Sequence, residues 1–235
     1  MYKISSWIVD VILRFWQSIP ILVIHNLDKA RTLKKVFWHL NVDGMEGDYI
    51  EFGVAHGHSM RAAQYAVQQS SSKSLGIKHI PRDLYGFDTF DKFIGGEFDS
   101  HPTWEGNAFN ASYSKVNKRF ASVTNVHLHQ IDVNLLDAQN STHSYSSFGI
   151  NRKAAVILFD MDLYTPTRSA LFWVKGLIQQ GTFLIFDELH AFAGNSNKGE
   201  ARALNEFTEM NPLLSLREFC SYGAGGKVFI VDLSN

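Results

Sequence analysis

The chain has 235 residues, 45% hydrophobic and 19% charged, an ordinary globular composition with enough apolar material for a sizeable core. Its formal net charge of -1 supplies no broad positive field, which argues against nucleic acid as a partner. Cys220 is the only cysteine, so an internal disulfide framework and a cysteine-rich zinc site are excluded, and a reducing, cytoplasmic setting is expected.

The chain opens on "ISSWIVDVILRFWQSIPILVI", where Asp10, Arg14 and Gln17 interrupt an otherwise apolar run. Charges near the middle of a membrane span cost roughly 2.5 to 3.5 kcal/mol each on insertion scales, which disfavours a spanning helix. Ile4, Trp7, Ile8, Val11, Ile12, Phe15 and Ile19 recur at three-and-four spacing and predict an amphipathic helix. Its apolar face is expected to pack on the domain or on a second subunit, giving a homo-oligomer. Peripheral membrane contact is the alternative. A second helical stretch, "DKARTLKKVFWHL", follows, and residues 1–40 together read as a helical appendage.

From residue 41 to the end, strands and helices alternate. "DYIEFGV", "DLYGFDTF", "NVHLHQI", "AAVILFD" and "GTFLIFDE" read as strands. "HSMRAAQYAVQQ", "YSKVNKRFAS", "TRSALFWVKGLIQQ" and "EARALNEFTEM" read as helices. The closing pair "LREFCSY" and "KVFIVDL", joined through "GAGG", looks like an antiparallel hairpin. Buried strands separated by helices predict an α/β fold with a doubly wound, mostly parallel sheet of seven strands, ending in that hairpin.

Ligands in such folds bind beyond the carboxyl ends of the strands, and acids gather there. Glu51 lies in the first strand, Asp88 ends the second, Asp132 follows the third, Asp160 ends the fourth, and Asp187 with Glu188 ends the fifth. One acid at a strand end is commonly a cap or loop residue. Several on one rim repel each other unless a cation or a hydroxylated ligand sits among them. The loop "EFGVAHGHS" adds Gly53 and Gly57, which permit a tight turn and close approach of backbone to a ligand. It matches neither G-x-G-x-x-G nor a phosphate loop. Asp88 is placed to accept two ribose hydroxyls, and Asp132 to reach an adenine amino group.

"GDYIEFGVAHGHS", "YGFDTFDKF", "FDMDLYTPTRSAL" and "GTFLIFDE", in this order, resemble the macrocin O-methyltransferase family over residues 47–210. That resemblance implies a Rossmann-like class I methyltransferase using S-adenosylmethionine and a divalent metal. It places Asp160, Asp187 and Glu188 at the metal, Glu51, Gly53 and Gly57 in the methionine-side loop, and Asp88 at the ribose. Met161 stands where the family usually has glycine, and Glu188 where a second Asp is common. A hard dication on oxygen ligands, Mg²⁺ or Mn²⁺, would orient an acceptor hydroxyl and lower its pKa. Asp162 is expected to support the site or to cap the helix starting near Thr165 and Pro166.

The stretch from 91 to 112 is long, Gly-rich and aromatic, as a lid over an acceptor pocket would be. His101 is its only histidine and, by the same resemblance, the candidate general base. His56, His58 and His190 fall near the same rim. The expected activity is methyl transfer to a hydroxyl of a small molecule, such as a sugar or a natural-product glycoside. Competing readings are a metal-dependent glycosyltransferase or phosphatase built on Asp-x-Asp, and a non-catalytic membrane-associated module.

Overall fold

The computed structural model describes residues 6–91, 101, 111–136 and 143–233. Two helices come first, α1 (Ser6–Ser18) and α2 (Ile21–Val42). Pro20 separates them, because it lacks the N–H that a continuous helix would need and sits before the first turn of the next. The pair is bent by 89°. No described residue of α1 is buried, so its apolar side does not pack on its own domain as the sequence allowed. Among the described residues no single helix is long and apolar enough to cross a membrane.

The α/β body then follows the expected order. It comprises β1 (Asp48–Phe52), α3 (His58–Gln69), β2 (Leu84–Asp88), α4 (Tyr113–Phe120), β3 (Val126–Gln130), β4 (Ala154–Phe159), α5 (Tyr164–Val174), β5 (Phe183–Phe186), α6 (Gly199–Glu209), β6 (Leu214–Tyr222) and β7 (Gly226–Leu233). The seven strands form one sheet in the order β3-β2-β1-β4-β5-β7-β6. The first five strands are parallel, and β7 pairs antiparallel with both β5 and β6. The strand order reverses between β1 and β4, which opens a crevice at their carboxyl ends.

Strand alternation divides the core into two layers. Ile50, Phe52, Phe87, Ile157, Phe159, Leu184 and Phe186 belong to one buried cluster with Trp173 of α5 and Phe207 of α6. Tyr49, Val156, Leu158 and Ile185 belong to the other, with Val36, Phe37 and Leu40 of α2 and Met60 of α3. In the first layer the last phenylalanine of each of four neighbouring strands is in register: Phe87 with Phe52, Phe52 with Phe159, and Phe159 with Phe186. Their rings stack at centroid separations of 5.3, 5.7 and 4.9 Å. That ladder ends four strands at one level, so the next residue of each, Asp88, Gly53, Asp160 and Asp187, forms a row along the rim.

Candidate active site

The row opens into a cavity of about 540 Å³, lined among others by Gly53, Ala55, Asp88, Asp132, Asp160 and Asp187. Its size suits a nucleoside-type ligand. Gly53 is required by close approach: a Cβ there would lie 1.9 Å from the carbonyl oxygen of Asp160. Asp88 ties the loop to the rim, since its Oδ2 accepts from the Ala55 N–H at 2.7 Å and its Oδ1 from the Phe90 N–H at 2.7 Å. Asp132 lines the same cavity while its Oδ1 accepts from the backbone N–H of Asn134 at 2.9 Å.

Glu51 and Gly57 are not among the lining residues. Glu51 points from β1 into the layer under α3, fully buried, and accepts hydrogen bonds from the hydroxyls of Ser59 (2.5 Å) and Tyr49 (2.7 Å). It therefore holds the loop from beneath, through Ser59, which does line the cavity. Burial pushes its carboxyl up to about 7. Gly57 starts α3 with φ +74°, and a side chain there would strike Phe120.

The acids of the other half of the rim meet a partner that the sequence reading did not place there. Lys29, buried on α2, puts its Nζ 2.7 Å from Asp160 Oδ2 and 2.7 Å from Asp187 Oδ2. His25, one turn earlier, bonds Asp187 Oδ2 through Nε2 at 2.9 Å. The Ala224 N–H donates to His25 Nδ1, so the ring proton sits on Nε2 and is donated to the carboxylate. Tyr222 on β6 donates to Asp187 Oδ1 at 2.6 Å.

Electrostatics follow from that arrangement. Burial raises the Asp187 carboxyl, but the Lys29 ammonium and His25 overcome it and hold the group below the usual carboxylate range. Burial and the neighbouring Asp187 charge push Asp160 well up. Burial lowers the Lys29 pKa, yet the two carboxylates outweigh it and raise the net value, keeping the ammonium charged. Asp162 lines the cavity with φ +62° and is raised to about 7 by burial, Glu188 and Asp187. It does not cap α5, whose first turn has no side-chain cap. Glu188 also lines the cavity, raised by burial and by Asp187. Beneath it the fully buried Glu200 accepts from the Glu188 N–H at 3.1 Å, while its Oε1 has no hydrogen-bond partner among the described residues. Burial, Asp162 and Asp187 push Glu200 far above its ordinary pKa.

A divalent metal does not fit this constellation. His25, Asp187 and Glu188 bring one ligand atom each to within 4.8 Å of the others. However, His25 Nε2 carries a proton toward Asp187, and both Asp187 oxygens already accept hydrogen bonds. A dication 4 Å from the Lys29 ammonium would meet roughly 8 kcal/mol of repulsion at an effective dielectric of 20. Two of the three acids expected to bind Mg²⁺, Asp160 and Asp187, instead pair with a side-chain cation.

Of the expected lid over 91–112, Asp91, Ala111, Ser112 and, between them, His101 are described, the rest lying outside the described residues. His101 packs edge-on against Phe192, with ring centroids 4.9 Å apart, and is not among the residues lining the cavity. His56 and His58 do line it, and His190 does not.

Lys29, His25 and Tyr222 are the members that sequence reasoning missed. A signal was present for two of them: Lys29, Leu33, Val36, Phe37 and Leu40 share one buried helical face, and His25 extends it by a turn. A lysine and a histidine in phase with a buried stripe require buried acids opposite.

Comparison with solved structures agrees with this architecture. The O-methyltransferase NovP superposes with a TM-score of 0.63 at 14% identity, covering 86% of this chain and 78% of its own. The calicheamicin methyltransferase CalS11 gives 0.61 at 20% identity, covering 86% and 77%. The fold is the one these methyltransferase structures share. TomG from Streptomyces achromogenes, an O-methyltransferase involved in tomaymycin synthesis and solved with SAM, gives 0.53 at 10% identity over 87% and 80%. No protein-family model and no curated protein matches the sequence.

Proposed function

We propose that the protein is an S-adenosylmethionine-dependent O-methyltransferase acting on a hydroxyl of a small molecule. The observation that carries this reading is the rim itself: Asp88 clamps the glycine loop over a 540 Å³ cavity at the strand-order reversal, with a second set of carboxylates on the far side. Asp88 keeps lone pairs for a ribose diol while its remaining bonds hold the loop. Asp132 stands on the adenine side. The macrocin-like motifs and the folds of NovP and CalS11, the latter a TDP-rhamnose 3'-O-methyltransferase, favour a sugar-like hydroxyl as acceptor.

In the reaction the acceptor oxygen attacks the sulfonium methyl. The O–C bond forms, the C–S bond breaks, and its electron pair stays on sulfur. The hydroxyl proton passes to a carboxylate, for which Asp162 has the appropriate place and a pKa near neutrality. Lys29 and Asp187 form a fixed dipole beside the acceptor.

Calorimetric titration with S-adenosylhomocysteine tests the reading: micromolar binding is expected, weakened in Asp88→Ala by about ten- to a hundredfold, the range for a lost charge-assisted acceptor. Preference for NADH would overturn it.

The exposed stripe of α1, with Trp7, Ile12, Phe15 and Trp16 each more than half exposed, favours self-association through the N-terminal helix. Peripheral lipid contact by the same stripe is the competing reading.

A further inference from the structure

Lys29 is not an incidental surface cation that folded inward. It lies on the buried face of α2 in phase with Leu33, Val36 and Leu40, and its side chain is 7% exposed. A lysine is strongly disfavoured in such a place unless anions receive it, and here it receives two. The receiving atoms are oxygens of the acids that the family resemblance assigns to a metal. Strand alternation explains the meeting: Asp160 and Asp187 continue the phase of Leu158 and Ile185, the layer covered by α2.

His25 and Tyr222 complete the arrangement. With Lys29 they give Asp187 three donors, two on Oδ2 and one on Oδ1. A carboxylate kept ready for a dication would be held from its outer lone pairs, with the inner ones turned toward open space. Asp187 has its bonds directed to protein donors on both oxygens. The Lys29 nitrogen bridges the two acids as a metal would, with hydrogen bonds in place of coordination.

We infer that the Lys29 ammonium takes the place of the divalent ion in this chain, so that the Asp160–Asp187 pair holds a built-in cation and binds no metal. The consequence for the reaction rests on the methyl-transfer reading: the acceptor meets a single ammonium donor, not a chelating ion, and need present only one hydroxyl to it. The assignment of the cation itself does not depend on that reading.

Metal-stripped full-length protein titrated with Mn²⁺, followed by electron paramagnetic resonance, tests the inference. Wild type is expected to show no site tighter than millimolar. Lys29→Met empties the position while keeping the apolar stem, and should bind Mn²⁺ at least tenfold more tightly than wild type. Lys29→Gln, which can still hydrogen-bond the acids, serves if the Met variant does not fold and should show the same gain. Stoichiometric micromolar Mn²⁺ on wild type would overturn the inference, because the lysine would then yield to the metal. Absence of any gain in a folded Lys29 variant would overturn it as well. Binding of S-adenosylhomocysteine by the same wild-type sample separates the two readings: its failure, with the Mn²⁺ pattern as stated, removes the methyltransferase and leaves the lysine in place.

Discussion

Glu51 shows how a residue can matter to a site that it does not touch. Its carboxyl is fully buried and raised to about 7, against an ordinary value of 4.5. Below pH 4.5 it is protonated in folded and unfolded chains alike. Between 4.5 and 7 the folded chain keeps the proton that the unfolded chain releases, so this group's contribution to stability falls as pH rises and is lost above 7. The whole change is about 3 kcal/mol. Glu51→Gln cannot titrate, and hydroxyls from Tyr49 and Ser59 can rotate to suit its amide. Urea unfolding at pH 5 and pH 8 should therefore show the variant gaining about 2 to 3 kcal/mol on wild type between the two. A gap that does not change with pH would show that Glu51 stays ionised in the folded chain. The family resemblance assigns Glu51 to the methionine-side loop and says nothing of its burial; the strand phase, which sets it on the face opposite Ile50 and Phe52, sends it under α3.

Among the elements, the β-strands were the most legible and α2 the least. "EFG", "GFD", "LFD" and "IFD" each carry a phenylalanine just before the rim residue, and the stacked ladder of Phe87, Phe52, Phe159 and Phe186 makes those four positions level. Truncating the fully buried Phe159 to Ala should cost about 3 to 5 kcal/mol in chemical unfolding, since it removes the ring between two stacked neighbours. A loss below about 1 kcal/mol would mean that the ladder is not what sets the rim. The helix α2 falls almost wholly within the helical appendage expected over residues 1–40, yet it brings Lys29 and His25 to the acids. Amphipathic spacing tells which face is buried, but a lysine on that face is informative only once the opposite wall is known to be acidic. For α1 the spacing was legible and the partner was not. Deleting residues 1–19 leaves Lys29 and His25 in place while removing the exposed tryptophans. In sedimentation, wild type is expected to be a dimer and the shortened chain a monomer. A monomeric wild type that pellets with anionic liposomes, and loses that on deletion, would assign the stripe to lipid instead.

At the scale of the whole molecule, the seven strands, their parallel run and the closing hairpin could be read from alternating apolar strands and helices, because connection length and burial restrict such a chain to few topologies. What could not be read was the sign of the charge at the centre of the site, since it depends on a helix that precedes the whole α/β body in sequence. That charge balance has a consequence for the stability of the entire fold. A ligand that binds only the folded chain stabilises it by about 2.7 kcal/mol at a concentration a hundred times its dissociation constant. For a chain of this length each kcal/mol is worth roughly 2 to 4 °C in melting temperature. S-adenosylhomocysteine at saturating concentration should therefore raise the midpoint by about 5 to 10 °C. Mg²⁺ at millimolar concentration should leave it unchanged, and EDTA should not lower it, because the Lys29 ammonium already bridges Asp160 and Asp187 in the folded chain. A rise with Mg²⁺ alone, abolished by Asp187→Asn, would place the ion at the carboxylates and displace the lysine from its role. A rise with neither compound would leave the cavity without the ligand that its rim was built from sequence to receive.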